Sequence, residues 1–179
     1  MLSDVLLKKL NDQIALEHDS ASLYLQMSAW CLYRGLEGCA HFLRLHSQEE
    51  MGHMYKLFDY VNETGALAHA GGDETPPRTF DDIVSLFRQT LDHERLVTAR
   101  INDLTDTALA EKDFSTFNFL QWYVAEQHEE EALFKSILDK LELVGPEGPG
   151  LFMIDREIGS LRTGVTATAD RGRGTTPGA

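Results

Sequence analysis

The stretch FLRLHSQEEMGHM, residues 42–54, decides the fold of this chain. Its apolar residues recur at helical spacing, which predicts a helix with one face turned toward the protein interior. The same face continues to Val61. Glu50 lies on that face, and His53 follows it by one helical turn, so two metal-binding side chains interrupt an apolar stripe. This pattern indicates a helix that lines an internal metal site. The predicted inward face is Leu43, Ser47, Glu50, Met54, Leu57 and Val61.

The same spacing of ligand-type residues recurs in the second half of the chain. Four residues of the first half each have a counterpart about 77 positions later, which is typical of a helix pair used twice. At 1.5 Å per residue, the inward groups lie about 22–28 Å from the nearest predicted turn, so they fall at one level. The first set is Glu17, Glu49, Glu50 and His53, and the second is Glu94, Glu126, Gln127 and Glu130.

Apolar periodicity and breaking residues predict four long helices. They run from Ser3, as N-cap, to Gly35, from 37 to 62, from a cap at Thr79 or Asp81 to about 110, and from about 113 to 145. The glycines and prolines of 65–79 mark a connection of about 15 residues. The inward face predicted for the fourth helix is Leu120, Val124, Gln127, Glu130, Phe134, Leu138 and Leu141.

The lengths of the connections determine the predicted topology. Short turns make the helices of each pair antiparallel, whereas about 15 extended residues can span about 50 Å, more than the length of a helix of this size. The fold class is therefore all-α, a four-helix bundle with one long crossover of the ferritin-like type, plus a short fifth helix. We expect the bundle in 1–144, the fifth helix in 145–163, docked through its apolar residues on another surface such as other subunits, and a mobile tail in 164–179.

The predicted bundle interior holds several carboxylates and no lysine or arginine. Burying a single ionised carboxylate costs several kcal/mol unless it is compensated, so protons or bound cations must lie among these groups. Oxygen ligands with one imidazole, and with Glu50 placed to bridge, suit a pair of first-row metals such as iron or manganese better than zinc. A single glutamate in a helical stripe could be a residue at the solvent-exposed edge of the stripe. Because these ligand-type residues lie at the same depth on four helices, we favour the metal site.

Several nearby residues have two interpretations. Tyr24, two turns beyond Glu17, is either a phenol acting on the metal ligands or a core aromatic, and Trp122 is a redox relay or, more simply, packing. The acidic residues around Glu49 and Glu126 form either a solvated face or a third, weaker cation site. The remaining histidines have no evident convergent partner and are taken as structural or surface residues: His18, His41, His46, His69, His93 and His128.

The composition restricts the function classes. A formal net charge of −13 disfavours nucleic acids and anionic membranes as partners and favours cations. Two cysteines without a CxxC motif suit a reducing compartment, and the N-terminal residues do not resemble a secretory signal. We therefore expect a cytoplasmic protein that binds neither nucleic acid nor membrane.

With these residues in view, the chain resembles the bacterial non-haem ferritins over about residues 1–163. The resemblance rests on five segments together with Glu17, Tyr24 and Glu94. The segments are QMSAWC (26–31), FLRLHSQEEMGHM (42–54), LFDYVNETG (57–65), FNFLQWYVAEQHEEE (117–131) and LFKSILDKL (133–141).

The resemblance implies a ferroxidase centre whose two irons share Glu50. It implies Glu17, Glu50 and His53 for the first iron and Glu50, Glu94 and Glu130 for the second, with Gln127 alongside and Tyr24 as the nearby tyrosine. The implied third iron site is Glu49, Glu126, Glu129 and Glu130. Members of the family form shells of 24 subunits, oxidise Fe(II) with dioxygen or peroxide, and store ferric mineral inside.

The resemblance also separates this chain from the bacterioferritins. Those proteins repeat a Glu-x-x-His motif in the fourth helix, where this chain has Gln127 and Glu130. Met51 occupies a place that could suggest a haem ligand, but a helical methionine is far more often packing, so we expect no haem. Two rival functions stay open: a di-iron oxidase or peroxidase acting on a small substrate without storage, and a structural bundle with protonated acids in its core.

Overall fold

The computed structural model describes residues 2–72 and 74–161. Within these ranges the chain is all-α and contains five helices, which confirms the predicted class. The tail expected in 164–179 lies outside the described residues. The helices are α1 (Asp4–Tyr33), α2 (Glu37–Glu63), α3 (Ile83–Ala110), α4 (Phe114–Val144) and α5 (Pro149–Ile158). None of the helices in this part of the chain has the length and apolar content needed to cross a membrane.

Hydrogen bonds between α1 and α2 show that they are antiparallel. Ser28, late in α1, donates its hydroxyl to the carbonyl of Ala40, early in α2, at 2.7 Å. Ser47, further along α2, donates to the carbonyl of Ala21, earlier in α1, also at 2.7 Å. The short turn between the two helices therefore forms a hairpin, as predicted.

Contacts between α1 and α3 establish the crossover. The Lys9 ammonium donates to the Asp103 carboxylate at 2.7 Å, and the Tyr24 hydroxyl donates to Glu94, so the residue numbers run in opposite directions along the two helices. Because α1 is antiparallel to both α2 and α3, α2 and α3 are parallel. The single-crossover topology predicted from loop length is confirmed.

The described parts of the crossover, residues 64–72 and 74–82, run along α1. The Asn11 amide donates to the carbonyl of Leu67 at 3.3 Å, near the start of α1. Near its end, the ring of Phe80 packs edge-on against Trp30, with ring centroids 5.7 Å apart. The two contacts lie about 19 residues apart in α1, which is about 28 Å along the helix axis. A short loop could not span this distance.

The start of α3 differs from the sequence prediction. The N-cap is Asp82, neither Thr79 nor Asp81. The Asp82 carboxylate accepts from the backbone N–H of Ser85 at 2.7 Å, and the Ser85 hydroxyl accepts from the N–H of Asp82 at 3.0 Å. This reciprocal capping box between Asp82 and Ser85 satisfies two free amides together, which explains why the helix begins after Asp82.

The inward face of α4 also differs at one position. Val124 was predicted to point inward, but it is only half-buried, and the ring of Tyr123 is 1% exposed. The Tyr123 hydroxyl donates to the backbone carbonyl of His53 on α2 at 2.8 Å. A tyrosine can enter this position because its hydroxyl finds a partner there, and the step from Leu120 to Tyr123 to Gln127 keeps helical spacing.

The apolar core is divided into two parts. One cluster lies at the end of the bundle near α5 and includes Tyr24, Phe42 and Phe134, as well as both free cysteines. The other lies at the opposite end and includes Leu10 and Tyr123. Buried polar side chains occupy the level between them, so the interior changes from apolar to polar and back along the bundle axis.

The fifth helix docks on its own subunit. Ile158 is buried in the core, and the Asp155 carboxylate accepts from the backbone N–H groups of Gly38 and Cys39 at 3.0 and 2.8 Å. Leu36, the N-cap of α2, cannot cap through its own side chain. Most helices are capped by the side chain of an adjacent serine or aspartate. In α2 the hydrogen-bond acceptor is instead Asp155, more than 110 residues away in the sequence.

Candidate metal centre

Four helices deliver polar side chains to the level between the two apolar clusters. Each side chain lies on the inward stripe of its helix, so helical periodicity alone buries it. All of them are at most 5% exposed. They are Glu17 from α1, Glu50 and His53 from α2, Glu94 from α3, and Gln127 and Glu130 from α4.

The tightest cluster joins α1 to α2. One ligand atom from each of Glu17, Glu50 and His53 lies within 4.8 Å of the other two, and all three residues are buried. Gln13, one turn before Glu17, donates its amide N–H to one oxygen of that carboxylate at 2.8 Å. The other Glu17 oxygen has no hydrogen-bond partner, which leaves it available to a cation.

Glu94 lies at the opposite side of the polar level and is held by two donors. The Tyr24 hydroxyl donates to one carboxylate oxygen, and the Gln127 amide donates to the other at 3.0 Å. Gln127 therefore presents its nitrogen to Glu94, a supporting arrangement for a carboxylate ligand. Among the described residues, Glu94 belongs to no group of three ligand atoms within 4.8 Å.

The residues proposed for a third site are only partly brought together. Glu49 is buried and belongs to two groups, one with His53 and half-buried Glu126, the other with His46 and Glu130. Glu129 is exposed and belongs to neither of these groups.

His46 corrects the sequence analysis, which treated it as structural or surface. It is 1% exposed, and its Nε2 lies 3.3 Å from a Glu130 oxygen. Its position one turn before Glu49 and Glu50 was the available signal, since His-x-x-Glu mirrors the Glu-x-x-His spacing of Glu50 and His53.

The other residues weighed from the sequence lie around this centre. The ring of Trp122 is 37% exposed, its centroid is 5.2 Å from that of His53, and the Lys56 ammonium lies 3.4 Å above it. Met51 is half-buried and packs against the core cluster that includes Leu10. His93 shares a 2.7 Å hydrogen bond with Ser20. His41, His69 and His128 are exposed.

Burial governs the protonation of the acidic groups. It raises the pKa of Glu17 well above the usual range, and the neighbouring charge of Glu50 raises it further. Burial, and then the charge of Glu94, also raise the pKa of Glu50. No buried side chain in the described part of the chain is a lysine or arginine. Without bound cations, protons must therefore neutralise this level, as the sequence predicted.

Metal-free protein should lose stability as the pH rises, because its buried carboxyl groups have folded-state pKa values above their unfolded values. Burial, then the charge of Glu130, raises the pKa of Glu94 from 4.5 to about 7. Its stabilising contribution is complete below about pH 4.5 and is lost as the pH rises through about 7, a loss of about 3 kcal/mol. Glu94→Gln should remove the part of the pH-dependent stability loss that comes from Glu94, because the new amide does not titrate. The amide can keep both hydrogen bonds, since the Tyr24 hydroxyl can accept as well as donate.

The measurement is thermal unfolding of chelator-treated protein between pH 4.5 and 8. Glu63→Gln, which neutralises an exposed carboxylate of α2, is the matched control and should keep the wild-type pH dependence. Equal pH dependence in Glu94→Gln and wild type would contradict the assignment.

Comparison with known proteins decides the family. The profile described as a ferritin-like domain matches residues 7–144. The chain belongs to the ferritin family. A probable bacterial non-heme ferritin-like protein of Haemophilus influenzae is 54% identical over 163 residues, which is 91% of this chain and 99% of the relative. The bacterial non-heme ferritin of Escherichia coli O6:H1 is 52% identical with the same coverage.

Solved ferritin structures agree with this assignment. An open pore ferritin from Archaeoglobus fulgidus superposes with a TM-score of 0.87 at 41% identity, covering 90% of this chain and 99% of the other. Chlorobium tepidum ferritin gives a TM-score of 0.80 at 53% identity, covering 88% and 98%. The resemblance to ferritins is confirmed, and membership of the ferritin family supports iron storage as the general function of this chain.

Proposed function

We propose that this ferritin-family protein stores iron by oxidising Fe(II) at a di-iron centre within each subunit and depositing ferric mineral inside an oligomeric shell. The observation that carries the proposal is the buried group of Glu17, Glu50 and His53 in a bundle interior whose described residues include no buried lysine or arginine. Such a group suits divalent first-row metals. Iron is both the ion that this site binds and the substrate that it oxidises.

The proposed ligand sets are those that the resemblance to bacterial non-haem ferritins implies. Glu17, Glu50 and His53 bind the first iron, and Glu50, Glu94 and Glu130 bind the second, so Glu50 bridges the pair. The proximity of the first three residues and the burial of all five support this assignment. The third iron site is proposed among Glu49, Glu126, Glu129 and Glu130, with Glu49 and Glu130 the best buried of the four.

The protein's own residues supply charge and geometry to the reaction. Two Fe(II) ions each lose one electron. Dioxygen takes up both electrons with two protons to give hydrogen peroxide, or hydrogen peroxide takes up both with two protons to give two water molecules. The carboxylates neutralise the metal charge in a dry interior, where such interactions are strong. Gln13 and Gln127 orient Glu17 and Glu94 through their amides.

Tyr24 is the proposed additional functional residue. Its ring is fully buried, and burial, then the charge of Glu94, raises the pKa of its hydroxyl. The phenol therefore keeps its proton and acts as a hydrogen-bond donor to the Glu94 carboxylate. Because Glu94 is a proposed ligand of the second iron, Tyr24 is proposed to act beside that iron, where it can also give up an electron.

The proposed partners are Fe(II), dioxygen or peroxide, and further copies of the chain in a shell of 24 subunits. The net charge of −13 favours metal cations over nucleic acids and anionic membranes. Buried free thiols at Cys31 and Cys39 suit the reducing cytoplasm, which is the proposed location.

Aerobic Fe(II) titration followed by absorbance tests this function. Ferric absorbance should rise far beyond two irons per chain and remain with a particle of high native mass. Uptake that stops at two irons per chain would instead indicate a di-iron oxidase or peroxidase without storage. No absorbance change would indicate a structural bundle whose acids are neutralised by protons.

A further inference from the structure

The indole of Trp122 lies between a proposed iron ligand and the surface of the bundle. Its ring packs edge-on against that of His53, with ring centroids 5.2 Å apart and an angle of 76° between the planes. Trp122 is also 37% exposed, whereas His53 is buried. An indole loses an electron more readily than most side chains. Its position alone therefore agrees with a redox relay as well as with packing, the two interpretations that the sequence left open.

A contact with Lys56 distinguishes these two interpretations. Lys56 follows His53 by three residues in α2, so both side chains lie on the same side of the helix, facing Trp122 on α4. The ammonium nitrogen of Lys56 lies over the face of the indole, 3.4 Å from the ring centroid. The electron-rich face of an aromatic ring attracts a cation, and tryptophan gives the strongest attraction. The contact therefore stabilises the neutral indole.

The same ammonium opposes oxidation of the indole. Removing an electron makes the ring positive, so the attraction between ring and ammonium becomes a repulsion between two like charges. Lys56 is half-buried, and the negative charge of Glu126 acts on it from nearby. The ammonium, however, is in direct contact with the ring face, and the interaction between charges is strongest at short distance. Trp122 is therefore harder to oxidise with Lys56 in place.

The two buried tyrosines near the centre differ in the same respect. The Tyr24 hydroxyl donates to the Glu94 carboxylate, a base that can accept the proton that a phenol loses on oxidation. The ring centroid of Tyr123 lies 4.8 Å from that of Trp122, and its hydroxyl donates to the backbone carbonyl of His53, which is not a base. The surroundings therefore favour loss of an electron at Tyr24 and oppose it at Tyr123 and Trp122.

We propose that Lys56 keeps Trp122 reduced during iron oxidation, so that Trp122 is a packing residue of the centre and not a redox relay. Lys56 acts through the indole and is a positioning residue. The reaction that it opposes is hydroxylation of the indole by hydrogen peroxide. In that reaction the O–O bond breaks, one ring C–H becomes C–OH, and one water molecule is released. The inference rests on the proposed function as the source of the peroxide.

Peptide mass spectrometry of the complete protein after aerobic Fe(II) loading tests this role. Lys56→Gln replaces the ammonium by a neutral amide, and Lys56→Arg keeps the positive charge. We expect the fraction of Trp122 that gains an oxygen atom to rise about two- to thirtyfold in Lys56→Gln, the range to which cation–π energies correspond. Lys56→Arg should stay at the wild-type level, whereas a merely structural role of Lys56 would not distinguish the variants by charge.

Two controls accompany this measurement. Lys8→Gln removes an exposed lysine of α1 and should leave the oxidation of Trp122 unchanged. Trp30 lies in the core cluster near α5, with the Arg34 guanidinium 5.2 Å from its ring centroid, and serves as the internal reference that no variant should alter. Equal oxidation of Trp122 in wild type and Lys56→Gln would overturn the proposal. So would an increase in Lys56→Arg as large as that in Lys56→Gln.

An iron-free measurement separates this inference from the proposed function. Photogenerated tris(bipyridine)ruthenium(III) takes one electron from an indole and becomes ruthenium(II), while the indole loses its N–H proton to water. In chelator-treated protein, Trp122 should be oxidised about two- to thirtyfold faster in Lys56→Gln than in wild type and Lys56→Arg. If this difference appears but the wild type oxidises no Fe(II), the proposed function fails and the protection of Trp122 stands. Normal iron oxidation without this difference overturns the inference alone.

Discussion

Replacing both Glu50 and His53 by alanine should abolish fast Fe(II) oxidation while the bundle still folds. Glu50 is the proposed bridge between the two irons, and His53 is the imidazole of the first site. Loss of a supporting partner typically lowers metal affinity or activity about 10–100-fold. Losing two direct ligands should exceed this, so we expect the initial rate to fall by more than about 100-fold. Stopped-flow absorbance after aerobic mixing with two Fe(II) per chain measures it.

The folded state of this variant should be at least as stable as that of metal-free wild type. Removal of Glu50 takes one buried carboxyl group out of an interior in which no described buried side chain is a lysine or arginine. The matched control is the double variant His41→Ala and Glu63→Ala, which removes the same residue types from exposed positions of α2. Its rate should equal that of wild type. An unchanged initial rate in the Glu50 and His53 variant would refute the proposed centre.

Gly38→Ala should have the largest effect on stability, because α5 approaches the start of α2 too closely for a side chain. A Cβ atom at Gly38 would lie 1.8 Å from the backbone carbonyl oxygen of Asp155. Backbone cannot yield as a flexible side chain does, so α5 must move away. We expect about 1–3 kcal/mol of strain, with up to about 2 kcal/mol more if the Asp155 cap is lost.

Gly52→Ala is the control for this prediction, since Gly52 lies in the same helix and a Cβ there would meet nothing within 4 Å. That variant should gain up to about 1 kcal/mol from helix propensity. Asp155→Ala isolates the cap and should cost about 1–2 kcal/mol with faster amide exchange at Gly38 and Cys39. Thermal unfolding and hydrogen exchange provide the measurements. Equal stability of the Gly38 and Gly52 variants would show that α5 does not dock as described.

Different parts of the candidate centre were predictable to different degrees. Helical spacing was enough to bury Glu17, Glu50 and Glu94, because a side chain's face depends only on its own helix. Tyr123 and Val124 show the limit of that reasoning, since adjacent residues at the edge of a stripe differ by about 100° around the helix. Rotation of α4 against its neighbours selected Tyr123, whose hydroxyl reaches α2.

The sequence by itself determined the five helices, the crossover and the common depth of the acidic groups, because these follow from local periodicity, breaking residues and chain length. It also indicated that the interior needs protons or bound cations, since no lysine or arginine occupies a predicted inward position. Only the tertiary structure decided that Asp155 caps α2 and that His46 faces Glu130. Those contacts depend on the distance and rotation between elements far apart in the chain, which no local pattern records.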